Sequence, residues 1–109
     1  MKNIKRYHKL VRDFIPKIIA TSGKESKFEV LDDLQYQKKL NEKLVEECQE
    51  WIESEAIEEL ADILEVLRAI AKMKGCDWDD VERICLEKKE ERGGFDQRIL
   101  LVQTEEEMN

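Results

Sequence analysis

The sequence predicts an all-α fold, and three observations carry that prediction. Charged residues make up 41% of the 109-residue chain and aromatic residues only 6%, with one Pro and four Gly, a composition that favours helices over sheets. Apolar residues recur at three- and four-residue spacing over two long stretches, as they do along amphipathic helices. Aspartates and glycines stand where the caps and stops of such helices belong. At this length the chain is expected to form a single domain, residues 1–109, small enough to leave an apolar helix face uncovered in the monomer.

The first element is a short helix. Asp13 offers its cap, Pro16 fits its first turn, Ile15, Ile18 and Ile19 are its apolar positions and Gly23 ends it. Residues 27–31 alternate only loosely and are at best a short extended segment. Asp32 and Asp33 can cap a long second helix in which Leu40, Leu44, Cys48, Trp51 and Ile52 recur at helical spacing. The third helix, residues 55–73, is apolar on two faces. Ile57, Leu60, Leu64, Leu67 and Ala71 form one stripe, and Ile63, Val66, Ile70 and Met73 form the other. A helix of that kind is central or lies at a subunit interface. Gly75 stops it, and Asp77 caps a fourth helix with Trp78, Val81, Ile84 and Cys85 expected to face inward. Residues 99–102 are a short apolar run that fits a strand paired with residues 28–31, a minor β addition to the helices. The tail, residues 105–109, is expected to fray.

Charge is distributed unevenly over these elements. Residues 44–67 carry nine carboxylates and no lysine or arginine, in a chain whose net charge is -7, so the remainder sums to about +2. Interleaved charges stabilise a solvated helix and like charges repel, so this window gathers repulsion. Charge alone fits a solvated face and a cation site equally well. The spacing is more specific: Glu47 and Glu50 are three residues apart, as are Glu59 and Asp62, and such pairs share a helix face. Two carboxylate claws of this type suit Mg²⁺ or Mn²⁺ better than zinc. In one continuous helix Glu50 and Glu59 would lie roughly 13 Å apart along the axis, too far for one ion. Either the chain turns back between Trp51 and Glu58, with Ser54 the best cap available there, or the second claw comes from another subunit.

Composition also excludes several classes. Cys48, Cys76 and Cys85 are odd in number, lack CxxC spacing and have no histidine partner nearby, so they fit small core residues in a reducing cytoplasm rather than a zinc site or disulfide framework. His8, the one histidine, sits in a basic run without a ligand partner. No apolar run matches a membrane span or a signal peptide, and the negative net charge with short basic segments speaks against nucleic acid. A soluble, cytoplasmic protein is expected.

Three blocks in order carry a resemblance. They are Tyr7-His8-Lys9-Leu10-Val11-Arg12-Asp13-Phe14-Ile15-Pro16, then Glu58-Glu59-Leu60-Ala61-Asp62-Ile63-Leu64-Glu65-Val66, then Lys88-Lys89-Glu90-Glu91-Arg92-Gly93-Gly94-Phe95. Together with Glu47 and Glu50 they resemble the all-α nucleoside triphosphate pyrophosphohydrolases, the superfamily of MazG, dimeric dUTPases and phosphoribosyl-ATP pyrophosphohydrolase. The similarity is to a small single-domain, MazG-like branch and covers residues 7–101. It implies an antiparallel helix bundle assembling into homodimers or homotetramers, and Mg²⁺-dependent hydrolysis between the α and β phosphates of a nucleotide, releasing pyrophosphate and a monophosphate. Carried over by position, Glu47, Glu50, Glu59 and Asp62 are the implied metal ligands. Glu46 is the implied neighbouring acid that orients water, and Lys9, Arg12, Lys88, Lys89 and Arg92 are the implied phosphate-binding cations; for in-line attack by water, either Glu46 or Glu50 is the expected base. Glu53, Glu55 and Glu65 receive no role and stay with the solvated face. Lys88, Lys89 and Arg92 also suit a helix C-terminus electrostatically, and Arg12 could instead pair with an acid to fix the N-terminal segment. Only eight residues separate Glu50 from Glu59, which demands a tight hairpin. A non-catalytic helical module for oligomerisation or regulation is the competing expectation.

Overall fold

The computed structural model describes residues 2–108, so Met1 and Asn109, the ends of the expected domain and tail, lie outside the described residues. The described residues form four helices and no strand: α1 (Ile15–Thr21), α2 (Asp33–Ser54), α3 (Ile57–Met73) and α4 (Trp78–Arg92). The fold is all-α. The chain divides into two compact units, one running through Cys76 and the other beginning at Asp77.

In the first unit the organising feature is a hairpin of α2 and α3. The Asp32 carboxylate accepts from the Gln35 backbone N–H at 2.8 Å, which satisfies one of the donors left open at the start of α2. Two residues, Glu55 and Ala56, then connect α2 to α3, so helices that pack side by side must run antiparallel. Leu40 and Val66 are buried between them, with Leu44, Trp51, Ile63 and Ile70 half-buried around that centre. Of the two stripes on α3, only the one through Ile63, Val66, Ile70 and Met73 is covered along its length. Ile57, Leu60, Leu64 and Leu67 are exposed, and on α2 Ile52 is exposed too.

The turn uses different chemistry from the expected cap. Glu55 adopts the left-handed conformation at φ 55 and ends α2, its N–H donating to the Trp51 carbonyl at 2.8 Å. Ser54 does not cap α3; it is the last residue of α2, and its hydroxyl accepts from the Ala56 N–H at 3.2 Å. Ala56 occupies the cap position, extended but without a side-chain acceptor.

Asp13 likewise does not cap α1. That helix starts later, with Phe14 at the cap position, and Pro16 lies in its first turn. Both α1 and α3 end by the same device, in which a glycine with positive φ lets two N–H groups fold back onto late carbonyls. Gly23 and Lys24 donate to Ala20 and Ile19, and Gly75 and Cys76 donate to Lys72 and Ala71.

The second unit contains α4 and the segment after it. Asp77 caps the helix, accepting from the Asp79 N–H at 3.3 Å, and Asp79 and Asp80 suit its positive end. The inward face expected of α4 is formed only in part: Trp78 and Val81 are half-buried while Ile84 and Cys85 are exposed. Neither extended segment becomes a strand. Phe28 and Val30 in one, and Ile99 to Val102 in the other, are exposed, and no described neighbour completes a ladder for them. No described helix is long and apolar enough to cross a membrane.

Candidate metal centre

The tight link places the acidic end of α2 beside the acidic start of α3. Carboxylate oxygens of Glu47, Glu50 and Glu59 all lie within 4.8 Å of one another, all from one chain. An octahedral ion with bonds of about 2.1 Å spreads its oxygens up to roughly 4.2 Å apart, so a small inward movement closes this set around one ion.

Glu47 is only 6% exposed, the one buried charged residue among those described. Two ionised carboxylates 4–5 Å apart repel by up to roughly 4 kcal/mol at an effective dielectric of about 20. The last turn of α2 holds no basic residue, whereas Glu59 sits in the first turn of α3, where a helix favours negative charge. Most tellingly, Glu47 Oε2 and Glu59 Oε2 are buried with no hydrogen-bond partner. A buried acceptor without a partner costs stability, and these two oxygens belong to acids of one close group that could hold a cation. The donor set is oxygen throughout, which fits Mg²⁺ or Mn²⁺.

Cations from outside the acidic window reach its rim. An N-terminal arm preceding α1 lies against the hairpin: Lys9 Nζ donates to Glu46 Oε1 at 2.9 Å, and Arg12 Nη2 donates to Asp62 Oδ1 at 2.8 Å. Lys39 Nζ donates to the His8 carbonyl at 3.0 Å, where the arm passes through a positive φ of 49 at His8. Lys43 on α2 bridges Glu46 Oε2 at 3.4 Å and Glu47 Oε1 at 3.2 Å.

The expected site residues therefore fall into three groups. Glu47, Glu50 and Glu59 are brought together. Asp62 stands outside the close group, because the Arg12 guanidinium engages it, although its charge is among those that act on Glu47. Glu46 has both oxygens bonded to lysines, and the hydrogen bond from Lys9 holds its pKa below the ordinary carboxylate value, which makes it a poor proton acceptor. Lys9 and Arg12 are occupied by these carboxylates. Lys88, Lys89 and Arg92 are exposed on the last turns of α4, in the second unit.

One residue escapes the sequence reading. Lys43 precedes the acid-only window by a single position, and the signal that finds it is its helical spacing to Glu46 and Glu47. Burial raises the Glu47 pKa, Lys43 opposes that rise, and the charges of Glu50 and Asp62 reinforce it. Comparisons with protein-family models, with curated proteins and with solved structures find no match to this chain.

Proposed function

We propose that this chain is a Mg²⁺-dependent nucleotide pyrophosphohydrolase that cleaves between the α and β phosphates. The observation that carries the reading is the convergence of Glu47, Glu50 and Glu59 with two buried oxygens unsatisfied. The order of the three sequence blocks supplies the reaction class by resemblance, and Asp62 is the fourth carboxylate of that pattern.

In this reading Glu47, Glu50 and Glu59 hold the ion, and Mn²⁺ can replace Mg²⁺. Magnesium, when bound, neutralises phosphate oxygens and polarises the phosphorus under attack. A triphosphate brings about four negative charges to a site lined with acids, so the carboxylates alone would repel it. Water attacks the α phosphorus in line, a new P–O bond forms, and the bond to the bridging oxygen breaks to release pyrophosphate. Glu50 takes the proton from that water, since both oxygens of Glu46 are bonded to lysines. The exposed stripe of α3 serves self-association into a dimer or tetramer.

The test is a panel of nucleoside triphosphates and phosphoribosyl-ATP with Mg²⁺ or Mn²⁺, scored for pyrophosphate. Glu50→Gln and Glu59→Gln are each expected to lower turnover at least 100-fold while circular dichroism is unchanged. Unchanged release in both variants refutes the assigned site. The exposed apolar stripe also fits a helical interaction module without catalysis, and absence of release from every substrate favours that second reading.

A further inference from the structure

We propose that Lys43 is a positioning residue of the carboxylate site: it binds Glu47 by one oxygen and thereby presents the other to the ion. This rests on the cation site proposed above. The two oxygens of Glu47 have different surroundings. Oε1 accepts from Lys43 at 3.2 Å, and Oε2 is buried without a partner. One carboxylate thus has one oxygen anchored and one held in reserve, the division of labour that an outer-sphere partner imposes on a metal ligand.

Ordinary helix stabilisation does not account for Lys43. With lysine N-terminal to glutamate at i,i+4, the pair has the less favourable order for a helix. Arg83 and Glu87 on α4 show what a surface pair looks like, with both side chains 59% exposed. The side chains of Lys43 and Glu47 alone are 16% and 8% exposed, so their geometry is enclosed by the fold. Lys43 is itself fixed from the far side. Its second partner, Glu46, is held by Lys9, so an alternating chain of charges runs from the N-terminal arm through Glu46 and Lys43 to Glu47.

The proposal makes a prediction whose sign separates it from simple electrostatics. An ammonium group beside a cation site repels the cation, so if Lys43 were a bystander its removal would tighten binding. If Lys43 orients Glu47, its removal weakens binding although a repelling charge has gone.

The experiment is titration of the full chain with Mn²⁺, free Mn²⁺ being read by electron paramagnetic resonance, for the wild type, Lys43→Met, Lys43→Gln, Lys43→Arg and Glu50→Gln. The wild type is expected to bind Mn²⁺ and Glu50→Gln to lose it. Lys43→Met and Lys43→Gln should each bind about 10-fold or more weakly, the usual cost of losing an outer-sphere partner. Lys43→Arg, which keeps the charge and the donors, should recover most of that loss. The pair of neutral variants guards against one of them failing to fold, which circular dichroism reports. Affinity equal to or above wild type in the folded neutral variants overturns the positioning role and leaves the site intact. A wild type that binds no Mn²⁺ overturns the site itself, and the positioning role with it.

Discussion

Glu47 shows at the scale of one residue how the site stores instability. Burial lifts its carboxyl above the ordinary value of 4.5, against the pull of Lys43, so the folded chain holds that proton more tightly than the unfolded chain does. Stability from this group is therefore complete below about pH 4.5 and is lost as pH rises through the folded value. Glu46 behaves oppositely. The Lys9 hydrogen bond lowers its pKa, so its contribution is present above 4.5 and disappears as pH falls through the folded value. At pH 7, Glu47→Gln is accordingly expected to melt higher than the wild type without metal, and the gap should close as pH falls towards 4.5. Mg²⁺ should reverse the ranking, because at 100 times Kd it adds about 2.7 kcal/mol to a chain that binds it and nothing to one that does not. Thermal melts across pH, with and without Mg²⁺, check both expectations. The sequence reveals the i,i+3 pairs Glu47/Glu50 and Glu59/Asp62 because helical spacing is local, but not that Glu59 joins the first pair while Asp62 turns to Arg12. It does not reveal which of the acids is buried, since that depends on the approach of a second helix.

Between elements, the decisive feature is the two-residue link, and here the sequence is only half legible. Asp32 and Gly75 announce the start of α2 and the end of α3, because each occupies a position whose backbone demands its chemistry. The link lacks such a marker. Its left-handed position is filled by glutamate rather than glycine, and its cap position by alanine, so the sequence offers the turn only as one of two ways to join the claws, a second subunit being the other. That poor local fit leaves room for improvement. Ala56→Ser, which supplies the missing acceptor, is expected to raise stability by about 0.5–1 kcal/mol, whereas Asp32→Ala should cost about 1 kcal/mol. Urea denaturation followed by circular dichroism measures both. A null effect of Ala56→Ser would mean that the start of α3 is already satisfied by the Ser54 and Glu59 contacts.

For the molecule as a whole, the residues that matter most are those the hairpin leaves uncovered. Ile57, Leu60, Leu64 and Leu67 form an exposed apolar row on α3. The alternative of a central or interfacial helix was legible in the two stripes, but which stripe turns inward follows from the pairing with α2. The long-range ion pairs were not legible at all: Lys9 and Glu46 are 37 positions apart, and Arg12 and Asp62 are 50 apart. Self-association through the row predicts that Leu60→Arg with Leu64→Arg shifts the sedimentation mass to that of a monomer, while Lys72→Ala, elsewhere on α3, leaves it unchanged. A wild type that already sediments as a monomer would overturn self-association through the row.

The shortness of the α2–α3 link also bears on how the chain folds. Glu47, Glu50 and Glu59 are near neighbours in sequence, so bringing them together closes only a small loop, an event on the order of microseconds or faster. The three-acid group thus rests on contacts short in sequence, whereas the N-terminal arm reaches the hairpin across 37 and 50 positions, so the group is expected to form first. A divalent ion that captures the three acids at that stage would add its binding energy to the folding nucleus, so Mg²⁺ is expected to speed refolding as well as slow unfolding.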